Sequence, residues 1–216
     1  MGFMKKLFYI AITLMLAGCY EEDNELIQSR DSSHRTSEMS RMLKSISAHE
    51  SGFDDIIDNS SCFSVDFPYQ VYINSDLRTI SDKNDLSEIN PQDNIELVYP
   101  VNTTFFNYDF HQAINQTDFN LIKNTCSEDF DIISNECLEI EFPITFKEFN
   151  DLTESFETLS FDNNRDLFFY IENLHDNDVY ELDYPILVTD DDSNTHSISS
   201  NEEFLELFSF WVSICE

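Results

Sequence analysis

Glycine is almost missing from this chain. Only Gly2, Gly18 and Gly52 occur in 216 residues. Beyond residue 52 there is therefore no glycine-rich phosphate loop and no Gly-x-Ser-x-Gly nucleophile elbow, which removes several enzyme classes. Basic residues are scarce too. There are 11 Lys and Arg against 43 Asp and Glu, a formal net charge of −32. Most of it sits late, where residues 62–216 hold 5 basic and 33 acidic side chains. Such a field repels nucleic-acid phosphates, so nucleic-acid partners are excluded. It repels anionic lipid head groups as well. It attracts divalent cations or basic partners, or simply keeps a displayed surface solvated. The five histidines, His34, His49, His111, His175 and His196, show no zinc-ligand spacing. The single tryptophan, Trp211, falls on a helix face that reads as core.

What is present begins with an address. Lys5 and Lys6 precede a run from Leu7 to Leu16, too short to cross about 30 Å of hydrocarbon as a helix. It fits the core of a secretory signal. Leu16-Ala17-Gly18-Cys19 resembles the lipobox of bacterial lipoproteins. The resemblance implies a signal peptide over residues 1–18, cleavage before Cys19, lipidation of its thiol and acylation of the new N-terminus. Several acyl chains on one residue hold a membrane where a single chain is marginal. The alternatives are an ordinary signal with a chance cysteine, or an uncleaved anchor. A myristoylation motif fails, because Lys6 stands where Ser or Thr is required. Tyr20-Glu21-Glu22-Asp23 is similar to the surface-export tails of Bacteroidota lipoproteins. It implies an outer-membrane anchor at the cell surface, with the periplasmic leaflet as the alternative.

Residues 19–61 are rich in Ser, Asn and charge and read as a flexible acidic tether. Within it, Met39, Met42, Leu43 and Ile46 keep helical spacing, so a short docking helix or a transient one is expected there.

From residue 62 the chain repeats itself. "CFSVDFPYQV" at 62–71 matches "CLEIEFPITF" at 137–146, and weaker forms stand at 95–104 and 180–189 with Tyr-Pro in place of Phe-Pro. Apolar and polar residues alternate in each copy, the mark of a half-buried strand. Proline lacks the ladder donor, so Pro68, Pro100, Pro143 and Pro185 belong at edges or bulges. After each comes a helix start, at Asp82, Asn115, Asn163 and Ser200. Each has an acid three residues later, Asp85, Asp118, Asp166 and Glu203, suited to the cap and to the positive helix end. The pattern predicts an α+β fold of two tandem small domains, 62–126 and 137–215. Each is expected to be a duplicated ββα unit, with a four-stranded antiparallel sheet under two helices. The repeat also pairs Cys62 with Cys126 and Cys137 with Cys215 in an oxidising compartment; the rival pairing is Cys126–Cys137 with Cys62–Cys215.

Chemistry is harder to find. "TDDDSNTH" offers oxygens at Asp190, Asp192 and Asn194, as calcium loops do, but Thr195 stands where such a loop needs glycine. By the repeat this stretch is a hairpin turn, and no cofactor is expected beyond that weak calcium candidate. The repeats after "SGFDDIIDNSSCFSV" look like flavobacterial-type lipoproteins, a resemblance that implies no activity. The expectation is a non-catalytic binding or interaction module, with an unidentified protein or glycan partner and with the membrane reached through the lipid anchor. The alternatives are an exported glycan-acting hydrolase using paired carboxylates, or a calcium-dependent binding protein.

Overall fold

The computed structural model describes residues 32–126, 137–150, 153, 155–176 and 178–214. Ser33–Glu216 form one compact unit, which carries both hydrophobic cores. Cys19 lies outside the described residues. The fold is mixed α+β, with thirteen strands in four small antiparallel sheets and six helices among the described residues. No helix among the described residues is long and apolar enough to cross a membrane.

The first half carries β2 (Phe63–Val65), β3 (Tyr69–Ile73), β4 (Asp76–Ile80) and the short α3 (Lys83–Leu86). It continues with β5 (Ile95–Val98), β6 (Val101–Phe105), β7 (Phe110–Ala113) and α4 (Gln116–Thr125). The second half has β8 (Leu138–Ile140), β9 (Ile144–Asn150), β10 (Ser155–Phe161) and α5 (Asn164–Glu172). Then come β11 (Val179–Leu182), β12 (Ile186–Asp190), β13 (Thr195–Ile198) and α6 (Asn201–Val212).

Two expectations need correction. Residues 62–71 are not one strand but two, and three strands, not two, precede each helix. The break falls at each repeated proline, where the X-Pro bond is cis at Pro68, Pro100, Pro143 and Pro185. A residue without a ladder donor ends the pairing, and the chain changes sheet. The short strand before the proline joins the other hairpin: β2 pairs with β6, and β5 with β3. The second half does the same, β8 with β12 and β11 with β9. The expected four-stranded sheet is therefore replaced in the first half by two three-stranded sheets, β4-β3-β5 and β2-β6-β7. In the second half the sheets are β13-β12-β8 and β1-β11-β9-β10, where β1 spans Ser32–His34.

The helix starts fall where the sequence puts them. Asn115, Asn163 and Ser200 accept from the amides of Asp118, Asp166 and Glu203 at 3.0, 2.9 and 3.2 Å. Asp82 accepts from Asn84 N–H at 2.8 Å. Asp85 and Glu203 reach back to the amide one residue before the cap, at Ser81 and Ser199, both at 2.7 Å.

The tether reading fails for residues 38–61. Here α1 (Glu38–Ile46) starts on Ser37, which accepts from Ser40 N–H at 3.1 Å. Its Met39, Met42, Leu43 and Ile46 are buried in one core with Phe146, Leu167, Tyr180 and Phe204 of the second half. Burying such side chains contributes about 1.5–3 kcal/mol each, enough to order a nine-residue helix that is marginal by itself. Ser40 Oγ meets Tyr180 Oη at 2.7 Å, which satisfies the phenol inside that core. A second core lies in the first half, around Phe63, Val65, Val71, Val101 and Phe119. Phe53, Ile56 and Ile57 pack on it from α2 (Asp55–Asp58) and the residues before.

Without glycine, left-handed backbone falls to other residues. Asn74 and Ser75, at φ 51° and 78°, make the two-residue turn between β3 and β4. Asparagine tolerates this region. Tyr108, at φ 65°, is a bulky residue there, and its surroundings hold it. Its hydroxyl donates to the Ser47 carbonyl at 2.8 Å, and its ring meets Phe168 and Phe169 of the second half at 5.6 and 6.0 Å.

Candidate functional site

Four places carry polar groups in unusual settings. The first is a pair of buried acids. Asp54 precedes α2 and Asp58 is its last residue; they are 0 % and 3 % exposed. Asp54 Oδ2 accepts from Val65 N–H at 2.7 Å, which ties α2 to β2. Asp58 Oδ1 accepts from Ser60 N–H at 2.9 Å, and Lys123 Nζ donates to the Asp58 carbonyl at 2.9 Å. Burial, and then the charge of Asp54, push the Asp58 carboxyl up to about 9. Burial and the same two acids push the Tyr69 phenol up as well. The disulfide Cys62–Cys126 adjoins this cluster, with Cα atoms 6.1 Å apart and Ser60 Oγ 3.4 Å from Cys126 Sγ. That is the pairing expected from the repeat. Cys137 is disulfide-bonded too, and Cys215 lies outside the described residues.

These acids are one pair of carboxylates that the structure brings together, and they are buried beside the core of the first half. A glycan could not reach them. Their chemistry is a clamp on two backbone amides.

The second place is a serine–histidine contact. His49 Nε2 lies 3.0 Å from Ser64 Oγ, and burial draws the imidazole below its ordinary range. Asp66 is near enough to oppose that shift, and it accepts from Thr104 Oγ1 at 2.7 Å. The parts of a nucleophilic triad are therefore close together. Ser64, however, is 2 % exposed on β2, so no substrate can meet its oxygen. Nothing in the sequence pairs these residues, which stand fifteen positions apart; the β2 fold-back does.

The third is the calcium candidate. The turn between β12 and β13 folds around Asp190, whose carboxylate faces donors. Oδ1 accepts from Asn194 N–H at 2.8 Å, and Oδ2 lies 2.7 Å from His196 Nε2. Asn194 thus presents nitrogens to Asp190, not an oxygen to a cation. The turn is a hairpin closure, as the repeat implies, and the Asp192 carboxylate takes no part in closing it. Among the described residues no group of three or more His, Cys, Asp or Glu is placed to hold a metal ion.

The fourth is a set of exposed sheet edges. β4, β7, β10 and β13 are each one of the two outer strands of their sheets, and all but their last residues are exposed or half-buried; β5, opposite β4 in its sheet, is exposed or half-buried throughout. β10 is the longest of them, paired with β9 through seven unbroken positions. Phe149 and Phe156 stand opposite each other on its outward face, with rings 5.3 Å apart. On the inward face Glu157 stands opposite Glu148. Burial, then the charge of Asp178, raise the Glu148 carboxyl; the Tyr170 hydroxyl eases the shift, and Glu157 adds to it.

No family model, curated protein or solved structure matches the chain.

Proposed function

We propose that this chain is a lipoprotein, anchored in the outer membrane through Cys19 and displayed at the cell surface, and that it acts as a non-catalytic interaction module. We further propose that its two halves are tandem copies of a duplicated strand-and-helix unit. The observation that carries the binding reading is the set of exposed outer strands, among them β4, β7, β10 and β13, one at the end of each hairpin. Edge strands offer unpaired N–H and C=O groups in a row, and partners add to them as further strands. The polar groups that resemble catalytic parts, Asp54, Asp58 and Ser64, are buried and serve the fold. The acidic surface suits a partner of opposite charge and keeps copies apart.

The test is protease shaving of intact cells, followed with an antibody to residues 62–216. Loss of the signal from whole cells supports surface display. Protection until the outer membrane is broken places the chain on the periplasmic leaflet. Photo-cross-linking from the outer strands in living cells then tests the interaction reading. Absence of any adduct from all four strands overturns it.

A further inference from the structure

The exposed outer strands are not equally defended. Natural sheets blunt their edges with short strands, lysines, prolines or bulges. β4 carries Arg78 beside Glu88, and β5, β7 and β13 are four residues long. β10 has seven residues, no basic side chain, no proline and no break in its register. Among the described residues no strand pairs with its outer side. Every second residue of such a strand turns its N–H and C=O away from its neighbour.

Its two faces differ. Outward, Phe156 is 42 % exposed and rests on Phe149. The only cation on that face of β9, Lys147, is drawn toward β11 by Asp183 at 2.7 Å. Inward, the next positions hold Glu157 opposite Glu148, with Asp178 close by. Like charges directly opposite in a ladder are unfavourable, and a cation beside them is favourable. A strand laid against the start of β10 would set two successive residues beside Phe156 on one face and Glu157 on the other; further along, the Phe156 face carries Thr158 and Ser160, and the Glu157 face Leu159 and Phe161.

We propose that β10 docks an extended basic segment of a partner protein by strand addition. The segment sets an apolar residue against Phe156 and Phe149 and, next to it, Lys or Arg against Glu157 and Glu148. This rests on the proposed interaction role and names its partner class. The net charge of −32 draws such a segment in, and the two-faced edge fixes its register.

Fluorescence anisotropy with the full chain in detergent tests it. The probes are short labelled peptides: alternating Val and Lys, alternating Val and Glu, and the Val–Lys peptide interrupted by proline. The Val–Lys peptide should bind saturably, and each of the others at least roughly tenfold more weakly. Glu157→Lys should weaken the Val–Lys peptide by roughly tenfold, while Glu96→Lys, the same charge change on β5, should leave it within about twofold. Equal losses in the two variants would mean attraction to net charge alone and would overturn the proposal. Absence of saturable binding would overturn it as well. If cross-links then form from β4, β7 or β13 instead, the interaction reading survives and the β10 assignment does not.

Discussion

The two halves use one frame and close it differently. Each runs through three strands and a helix twice, turns at a proline before its longer strands, and exchanges its short first strands between hairpins. The first half is closed by α2 and a disulfide, with two acids buried beneath. The second is closed by α1, whose methionines and leucine enter an apolar core directly. The frame is therefore common, and identity lies in what covers it. One lid rests on buried acids and a covalent tie. The other depends on hydrophobic burial. The hairpins diverge too: β3 and β4 turn tightly at Asn74 and Ser75, while β9 and β10 run on to carry Phe149 and Phe156.

Breaking one lid should leave a readable difference between the halves. Leu43→Asp puts a charge into a fully buried site in the core of the second half. A loss of more than about 4 kcal/mol is expected. Hydrogen exchange should show α5, β9 and β11 losing protection before β3 and β6. Equal loss in both halves would mean that α1 closes the whole molecule.

Replacing Cys62 and Cys126 together by Ser attacks the other lid. The bridge spans 64 positions, and the chain-entropy model gives it about 4 kcal/mol. Urea unfolding should register that loss, with protection falling first in β2, β6 and α4. An unchanged midpoint would show that the buried acids and Phe53 hold α2 unaided.

Asp58 gives the first half a pH dependence that reaches further up than that of the raised Glu148 carboxyl in the second. Its carboxyl is raised in the fold, so the folded chain binds a proton that the unfolded chain releases. The contribution is complete below the ordinary carboxylate range and fades as pH rises toward about 9. The melting temperature of the first half should fall between pH 5 and about pH 9, and Asp58→Asn should flatten that slope. A slope that persists in the variant would assign the effect to other groups.

The smallest effect sharpens the join between the halves. Tyr108→Phe removes the hydrogen bond to Ser47 while keeping the ring on Phe168 and Phe169. About 1 kcal/mol is expected in thermal unfolding. A loss several times larger would show that the hydroxyl, not the ring, positions this left-handed residue.

The four helix starts were legible to the residue, because a cap is a local event: a side-chain oxygen meets an amide two or three positions on. The period-two strands and the Cys62–Cys126 pair followed from pattern and repeat. The prolines read as edges within a strand, whereas they end one strand and begin another in a different sheet. Alternation continues through the break, so pattern alone does not register it. The amphipathic run at Met39 to Ile46 was visible, but its docking surface, built from Phe146, Leu167 and Tyr180, lies about a hundred residues away. The buried acids were invisible for the same reason, since "DDIID" reads as solvated charge until β2 and Lys123 cover it.

Composition and local chemistry alone determined the charge, the absence of glycine loops, the helix caps and the strand segments. Those properties depend on neighbours a few positions apart. The tertiary structure decided which strands exchange, which lid closes which core, and which edge stays open. Each of these depends on burying one apolar face against another, and the partner face is built from residues far off in the chain.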